Sequence, residues 1–207
     1  MKSYKIFIID YGMGNLASVY KAFSMFSTGV KVIDKPSLVK QADKLVLPGV
    51  GHFEAGAENL EKLKFKDEIL EFIEKGKFFL GICLGLQLLF EKSEESKSMQ
   101  GLKVLKGSVV KFKNFYNGKK YAVPHMGWNR VFRVKDDKIF EAIKNGEYFY
   151  FVHSYFVKPS ENVILCESEY GEKFCSGVKK DNIYAFQFHP EKSQKAGLHL
   201  IENFALL

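Results

Sequence analysis

The chain is poor in cysteine, with three in 207 residues, an odd number and no framework spacing. That excludes a disulfide-built scaffold and points to reduced thiols in a cytoplasmic protein. It has no apolar run long enough to span a membrane. The opening Met1-Lys2-Ser3-Tyr4-Lys5-Ile6-Phe7-Ile8-Ile9-Asp10 has only a short apolar run before an acid, so it reads as a first strand and not as a signal peptide. No metal-ligand spacing is present. The formal charge is +7, from 31 basic and 24 acidic residues, but the lysines are scattered. With no nucleic-acid motif, no basic helix and no aromatic-basic interleaving, the charge reads as a lysine-rich surface and not as a nucleic-acid face. There is no internal repeat, low-complexity tract or linker. Hydrophobic residues make up 46% and charged residues 27%, ordinary globular values, and the length suits a single domain over 1–207.

What is present is alternation. Strands are predicted over Tyr4–Ile9, Val30–Ile33, Lys44–Leu47 and Phe78–Ile82, and helices over Gly14–Phe26, Phe53–Leu63 and Phe65–Lys75. This pattern implies a parallel sheet covered by helices on both faces. The second half holds short strand candidates at close spacing: Lys103–Leu105, Ser108–Phe112, Tyr121–Val123, Asn129–Val134, Tyr148–Val152, Tyr155–Val157, Asn162–Glu167, Phe174–Lys179 and Ile183–Phe188. Ser193–Phe204 reads as a closing helix with Ser193 at its N-cap, and Glu91–Gln100 as a polar surface loop. The expected fold class is α/β, a mostly parallel mixed sheet flanked by helices, with an added antiparallel strand region.

The most informative run is Phe78-Phe79-Leu80-Gly81-Ile82-Cys83-Leu84-Gly85-Leu86-Gln87. An apolar strand ends in Gly-x-Cys-x-Gly and restarts as a helix at Leu84. This is the cysteine version of a nucleophile elbow. Most cysteines in apolar segments are inert core residues, but the flanking glycines and the strand-to-helix switch favour chemistry here. The N–H groups opening the helix are expected to face the sulfur and favour thiolate. Cys166 and Cys175 lie in strand-like runs without that setting and read as structural.

A cysteine nucleophile needs a base, and the base needs an orienter. His189 ends the run Ile183–Phe188 and is followed by Pro190-Glu191. Pro190 holds His189 extended, and residues two apart in extended chain share a face, so Glu191 is expected to reach the imidazole. The same triplet alone also reads as a turn with a helix-capping acid. Oxyanion donors are expected from the N–H of Leu84 and from the turn Pro48-Gly49-Val50-Gly51, through Val50 and Gly51; that turn is otherwise an ordinary strand end.

Six blocks then occur in order: Asp10-Tyr11-Gly12-Met13-Gly14-Asn15, Leu47-Pro48-Gly49-Val50-Gly51-His52-Phe53, Gly81-Ile82-Cys83-Leu84-Gly85-Leu86-Gln87, Pro124-His125-Met126-Gly127-Trp128-Asn129, Tyr150-Phe151-Val152-His153-Ser154-Tyr155 and Gln187-Phe188-His189-Pro190-Glu191-Lys192-Ser193. Together they resemble the class I, triad-type glutamine amidotransferases, and among them the family of glutaminase subunits of imidazole glycerol phosphate synthase. The likeness covers essentially the whole chain and shows no departure at a catalytic position.

The resemblance implies a Cys83, His189 and Glu191 triad that hydrolyses glutamine and passes ammonia to a (β/α)₈-barrel cyclase in a heterodimer, with no metal and no organic cofactor. The pathway it implies is histidine biosynthesis. It assigns glutamine contacts to Gly51, Gln87, Glu95, Ser154 and Tyr155, the last two mainly through backbone groups. Glu95 would pair with the substrate ammonium, though in a polar loop it also reads as a solvated acid. The partner face would include Met13, Asn15, Trp128, Asn129, Tyr150 and Lys192. Lys192 is similar to a family lysine that salt-bridges to the cyclase, and Trp128, the only tryptophan, reads equally as a half-buried core residue. His52, His125 and His153 receive no catalytic role. Low activity before the cyclase binds its nucleotide ligand would follow if an N–H of the Pro48–Gly51 turn pointed away at rest. A β-branched residue at Gly49 or Gly51 is then expected to lower stimulated activity without harming folding. Three alternatives remain at this point: a paralogous subunit of a sugar-amidating pair, another cysteine hydrolase of the same architecture, and a degenerate, non-enzymatic scaffold.

Overall fold

The computed structural model describes residues 4–207; the first three residues of the N-terminal run lie outside the described residues. The elements, in chain order, are β1 (Ile6–Ile9), α1 (Leu16–Ser24), β2 (Lys31–Ile33), β3 (Lys44–Leu47), α2 (Phe53–Lys62), α3 (Phe65–Glu74), β4 (Phe78–Ile82) and α4 (Leu84–Gln87). After these come β5 (Lys92–Ser93), β6 (Gly107–Lys111), β7 (Phe115–Tyr116), β8 (Lys119–Lys120), β9 (His125–Arg133), β10 (Glu147–His153), β11 (Tyr155–Pro159), β12 (Ile164–Tyr170), β13 (Glu172–Lys180), β14 (Ile183–Phe186) and α5 (Gln194–Leu206). One mixed sheet runs β10-β9-β12-β13-β14-β4-β3-β1-β2. Its β14-β4-β3-β1-β2 half is parallel and the rest antiparallel. Strand β11 joins β13 to β6, and β7-β8 is a separate hairpin. The expected α/β class is the observed one.

The parallel strands are apolar without alternation because both faces are covered. All four residues of β1 are buried. Ile6 and Ile8 pack in one cluster with Phe23 of α1 and Phe204 of α5. Phe7 and Ile9 pack in the other with Leu60 of α2 and Phe72 of α3. This is the two-residue period of a strand read against two helical layers. Among the described residues, no helix is long and apolar enough to cross a membrane. All three cysteines are buried and unpaired. Burial pushes the Cys166 thiol up to about 12 and the Cys175 thiol well above its ordinary value, as befits structural residues.

Several sequence expectations fail for local reasons. Lys103–Leu105 is not a strand: Lys103 has φ +57°, and the N–H groups of Val104 and Leu105 both go to the Leu89 carbonyl. Tyr121–Val123 joins no ladder; Tyr121 N–H donates to Asn114 O, and Pro124 follows. Strand β9 starts at His125, earlier than Asn129, through Gly127 at φ +133°. The loop Glu91–Gln100 contains strand β5, whose Ser93 is buried. Ser193 stands at the N-cap of α5, but its side chain makes no capping bond.

Lys44 opens β3 and is only 2% exposed. Its Nζ donates to the carbonyls of Phe204 and Ala205 at 2.9 Å each, at the end of α5. It also lies 4.5 Å from the centre of the Tyr4 ring. An ammonium on carbonyls left unpaired at a helix C-terminus is favourable, while burial lowers its pKa to about 8. Lys44→Met leaves both carbonyls unpaired and is expected to cost about 1–3 kcal/mol in chemical denaturation. Because the folded pKa lies below the ordinary 10.5, the unfolded chain holds the proton longer, and the wild-type advantage grows as pH rises from 8.

Candidate active site

Strand β4 pairs in parallel with β3 on one side and β14 on the other, with Gly81 opposite Leu47 and Ile82 opposite Phe186. The three strand ends therefore deliver Pro48, Cys83 and Gln187 to one edge of the sheet, where open α/β sheets carry their chemistry. Cys83 sits at φ 53°, ψ −103°, left-handed backbone for a residue with a side chain. Such strain persists only where the surroundings impose it. Here they do. A Cβ on Gly85 would lie 1.9 Å from Leu47 O, so only glycine lets α4 close onto the sheet and force the turn. The side chain is 5% exposed.

Three of the four N–H groups of α4 are engaged with backbone carbonyls and not, as expected, with the sulfur. Leu84 N–H donates to Gly49 O at 3.2 Å, and those of Leu86 and Gln87 donate to Cys83 O at 3.0 and 3.3 Å. Beside the sulfur is instead a side chain the sequence reading passed over: Gln187 Nε2 donates to Cys83 Sγ at 3.6 Å. Gln187 stands two residues before His189, and that spacing was the available signal.

His189 Nδ1 lies 2.8 Å from Glu191 Oε1, and both side chains are 2% exposed. The expected reach is present but by another route. His189 is extended at φ −100°, ψ 94°, and Pro190–Lys192 forms a single 3₁₀ turn that folds Glu191 back. Backbone bonds hold the imidazole from both sides: His189 N–H donates to Tyr150 O at 2.9 Å, and Ser193 Oγ donates to His189 O at 2.6 Å while accepting Tyr150 N–H at 2.9 Å. This anchoring is what the Ser193 hydroxyl does in place of capping. Burial opposes a charge on His189, but its interactions with Cys83 and then with Glu191 outweigh it and raise its pKa to about 10.

The Pro48–Gly51 turn lies against the elbow. Its Gly49 carbonyl occupies the Leu84 N–H, so that donor is engaged inside the protein. Gly49 has no room for a side chain: a Cβ would lie 2.2 Å from Tyr11 Oη and 3.0 Å from Leu84 Cβ. Substitution there would disturb packing, contrary to the expectation that folding is untouched. Gly51 adopts φ +110°, and a Cβ would meet only the flexible Met13 Cε, at 3.1 Å. Tyr11 Oη is fully buried with no hydrogen-bond partner, and burial and the nearby Cys83 raise its pKa.

A cavity of about 340 Å³ opens on Cys83 and is lined by Val50, Gly51, Gln87, Glu95, Ser154 and Tyr155, among others. Every residue the resemblance assigned to glutamine therefore stands on one wall or another of it. Glu95 is not a solvated loop acid: its Oε2 accepts the Phe53 N–H that opens α2, at 2.7 Å, and its side chain is 11% exposed. The carbonyls of Ser154 and Tyr155 are already engaged, Ser154's by Phe112 N–H and Tyr155's by Gln87 Nε2 and His153 Nδ1. A larger groove of about 520 Å³ lies between Trp128, Tyr148 and α5, but it holds none of the three reactive side chains. Among the described residues, no group of three His, Cys, Asp or Glu side chains is placed to hold a metal ion.

Of the residues assigned to a partner face, Trp128, Tyr150 and Lys192 come together. Trp128 is 47% exposed and edge-on to Tyr150 at 6.0 Å, with Lys192 Nζ 5.9 Å from the centre of the same ring. Asn15 is exposed and caps α1, which packs on the Pro190–Lys192 turn, and Met13 lies against Gly51. Asn129 turns inward, its Nδ2 donating to Glu169 O at 2.9 Å and lying 3.3 Å from His125 Nε2.

The class-I glutamine amidotransferase family model matches residues 7–207. The imidazole glycerol phosphate synthase subunit HisH of Methanocaldococcus jannaschii is 49% identical over 200 residues, covering 97% of this chain and 98% of that one. The Aquifex aeolicus subunit of the same name is 52% identical over 199 residues, covering 95% and 94%. The chain belongs to the class-I glutamine amidotransferases, in the family of imidazole glycerol phosphate synthase HisH subunits. Solved structures agree on the fold alone. A crystal structure of a glutamine amidotransferase superposes with a TM-score of 0.75 at 17% identity, covering 98% of this chain and all of the other. PurLQS from Thermotoga maritima gives 0.72 at 18%, covering 98% and 97%.

Four outcomes follow for an amidotransferase site built this way. His189's raised pKa means its imidazolium stabilises the folded site fully below pH 6.5 and ceases to as pH rises through about 10. The melting-temperature advantage of wild type over Glu191→Gln is expected to follow that course. Gly49→Ala is expected to cost about 1–3 kcal/mol by overpacking. Tyr11→Phe, which removes an unpaired buried hydroxyl, should melt at or above the wild-type temperature, and combining the two should recover part of the Gly49→Ala loss.

Proposed function

We propose that the chain hydrolyses glutamine to glutamate and ammonia and delivers the ammonia to a (β/α)₈-barrel cyclase partner. That partner would make imidazole glycerol phosphate and aminoimidazole carboxamide ribotide in histidine biosynthesis. The names of the relatives support the pathway. The chain would act as one amidotransferase domain over 1–207, in the cytoplasm, where unpaired thiols stay reduced. The observation that carries the chemistry is a strained elbow cysteine that interacts with a buried imidazole held at 2.8 Å by a carboxylate.

In this reading the Cys83 thiolate attacks the amide carbon of glutamine. The C–N bond breaks as His189 Nε2 gives its proton to the leaving ammonia, and a glutamyl thioester remains. Neutral His189 then takes a proton from water, the resulting hydroxide attacks the thioester, and C–S cleavage restores thiolate and imidazolium. Glu191 fixes the imidazole tautomer throughout. Sulfur, imidazole and backbone N–H groups handle every step, so the chemistry asks for no metal or organic cofactor. The tetrahedral intermediate needs N–H donors, from Leu84 and from Val50 or Gly51. The Leu84 N–H becomes available only when the Gly49 carbonyl leaves it. A partner seated on Trp128, Tyr150 and Lys192, with Met13 and Asn15 at its margin, would bias that turn, which accounts for a glutaminase gated by its cyclase.

Glutamate release from glutamine tests the reading, measured first on the chain alone and then with the cyclase and its nucleotide ligand. Strong stimulation is expected, with loss of activity in Cys83→Ala and a fall of about a hundredfold or more in Glu191→Gln. Slow turnover with no stimulation by that cyclase would move the partner to another pathway. No turnover under either condition would sink the reading.

A further inference from the structure

Two buried histidines that the steps above do not use lie at the cavity wall, His153 on its lining and His125 behind it. His125 and His153 face each other across the β9–β10 ladder, with His125 Nδ1 at 3.0 Å from His153 Nε2. Aromatic rings enclose them, with Tyr170 stacked on His125 at 4.1 Å and Phe112 and Phe174 around both. Burial lowers the His125 pKa to about 4 and the His153 pKa to about 3, so both rings are neutral.

A neutral imidazole has one N–H, and here the contacts decide which nitrogen carries it. His153 Nδ1 is 2.8 Å from Tyr155 O. A carbonyl only accepts, so Nδ1 holds the hydrogen and Nε2 is bare. His125 Nδ1 must then donate to it, which leaves His125 Nε2 bare and ready for Asn129 Nδ2 at 3.3 Å. The Asn129 amide is oriented independently, because Nδ2 donates to Glu169 O at 2.9 Å and Oδ1 accepts Arg130 N–H at 2.8 Å. The chain of donors is consistent from end to end. It continues past the same carbonyl toward the thiol. Gln87 Nε2 donates to Tyr155 O at 3.0 Å and to Gln187 Oε1 at 3.2 Å, and Gln187 Nε2 donates to Cys83 Sγ at 3.6 Å. Both Gln87 N–H groups are thereby engaged, and what its amide has left for the cavity is Oε1.

We propose that His125 and His153 are positioning residues: a neutral pair locked in the Nδ1–H tautomer that pins the Tyr155 carbonyl and so fixes the amide orientations of Gln87 and Gln187 around Cys83. The inference rests on the glutaminase reading, since it takes Gln87 to meet the substrate. Losing the His125 N–H leaves His153 Nε2 without a donor and frees its tautomer. The Tyr155 carbonyl then loses its fixed partner, and the Gln87 amide no longer has one preferred orientation. Substrate engagement suffers more than the thiol step.

Nitrogen NMR of the imidazoles in the wild-type chain at neutral pH is expected to show the Nδ1–H tautomer for both residues; an Nε2–H tautomer or an imidazolium for either overturns the proposal. The second measurement is the rate of Cys83 labelling by a glutamine-analogue chloroketone as a function of its concentration. His125→Phe keeps the ring volume and loses the donor, and it is expected to raise the half-saturating concentration about tenfold. His125→Asn places an amide N–H near the lost Nδ1–H and is expected to stay within about twofold of wild type. Equal shifts in the two variants, or no shift in His125→Phe, defeat the inference while labelled wild type preserves the glutaminase reading. Failure of the wild type to be labelled defeats that reading and the inference with it.

Discussion

The close approach of α4 to the end of β3 is the constraint on which the site depends. With no Cβ at Gly85, the helix opens directly over Leu47 O, at a distance no other residue permits. Everything else at the elbow follows. The backbone must reverse within one residue, so Cys83 takes a left-handed conformation, and its strain is held by burial on all sides. The same approach brings Leu84 N–H within 3.2 Å of Gly49 O. One packing contact thus fixes both where the thiol stands and what its neighbouring donor is doing.

The histidine is placed by a different part of the fold. Strand β14 puts Gln187 next to Cys83, but the chain leaves the sheet before His189. What holds His189 is the antiparallel half: β10 accepts its N–H through Tyr150 O, and Ser193 clips its carbonyl to the Tyr150 N–H. The parallel half therefore presents the thiol, and the antiparallel addition presents the imidazole and carboxylate. The cavity lies where the halves meet, and its far wall is the β10–β11 corner of His153, Ser154 and Tyr155.

This division explains what was legible in the sequence. Parallel strands buried on both faces give unbroken apolar runs, and the elbow needs glycines at fixed positions, so β1, β3, β4 and Cys83 stand out by composition alone. The Pro190 restriction and the i, i+2 spacing flagged Glu191, though a 3₁₀ turn and not an extended segment closes the 2.8 Å contact. The N-terminal half of strand β9 is not legible because its alternation is inverted, with Met126 and Trp128 exposed and His125 buried, and because it is held by pairing with β10. Tertiary hydrogen bonds were invisible for a related reason. Nothing local to Asn129, His125 or Gln187 announces partners 28 to 104 positions away. The polar loop around Glu95 leaves a substrate contact and a solvated acid equally open by composition, and it is the N–H of Phe53, 42 residues earlier, that holds Glu95 in the cavity wall.

The proposed triad and the proposed oxyanion donors are in different states of readiness. The His189–Glu191 contact is formed, buried and anchored through backbone on both sides, whereas the Leu84 N–H is engaged with Gly49 O. Opening that contact gives up one backbone hydrogen bond, a net change of about 1 kcal/mol. A bound partner needs only that much preference for one turn conformation to shift the population about fivefold, and each further ~1.4 kcal/mol multiplies the shift about tenfold. Glycines at 49 and 51 keep the backbone permissive, and the Tyr11 hydroxyl beside Gly49 has no hydrogen-bond partner in the resting arrangement. With His189 and Glu191 rigidly held and the turn marginally held, the proposed control would fall on the weakest bond in the site and leave the strain at Cys83 undisturbed.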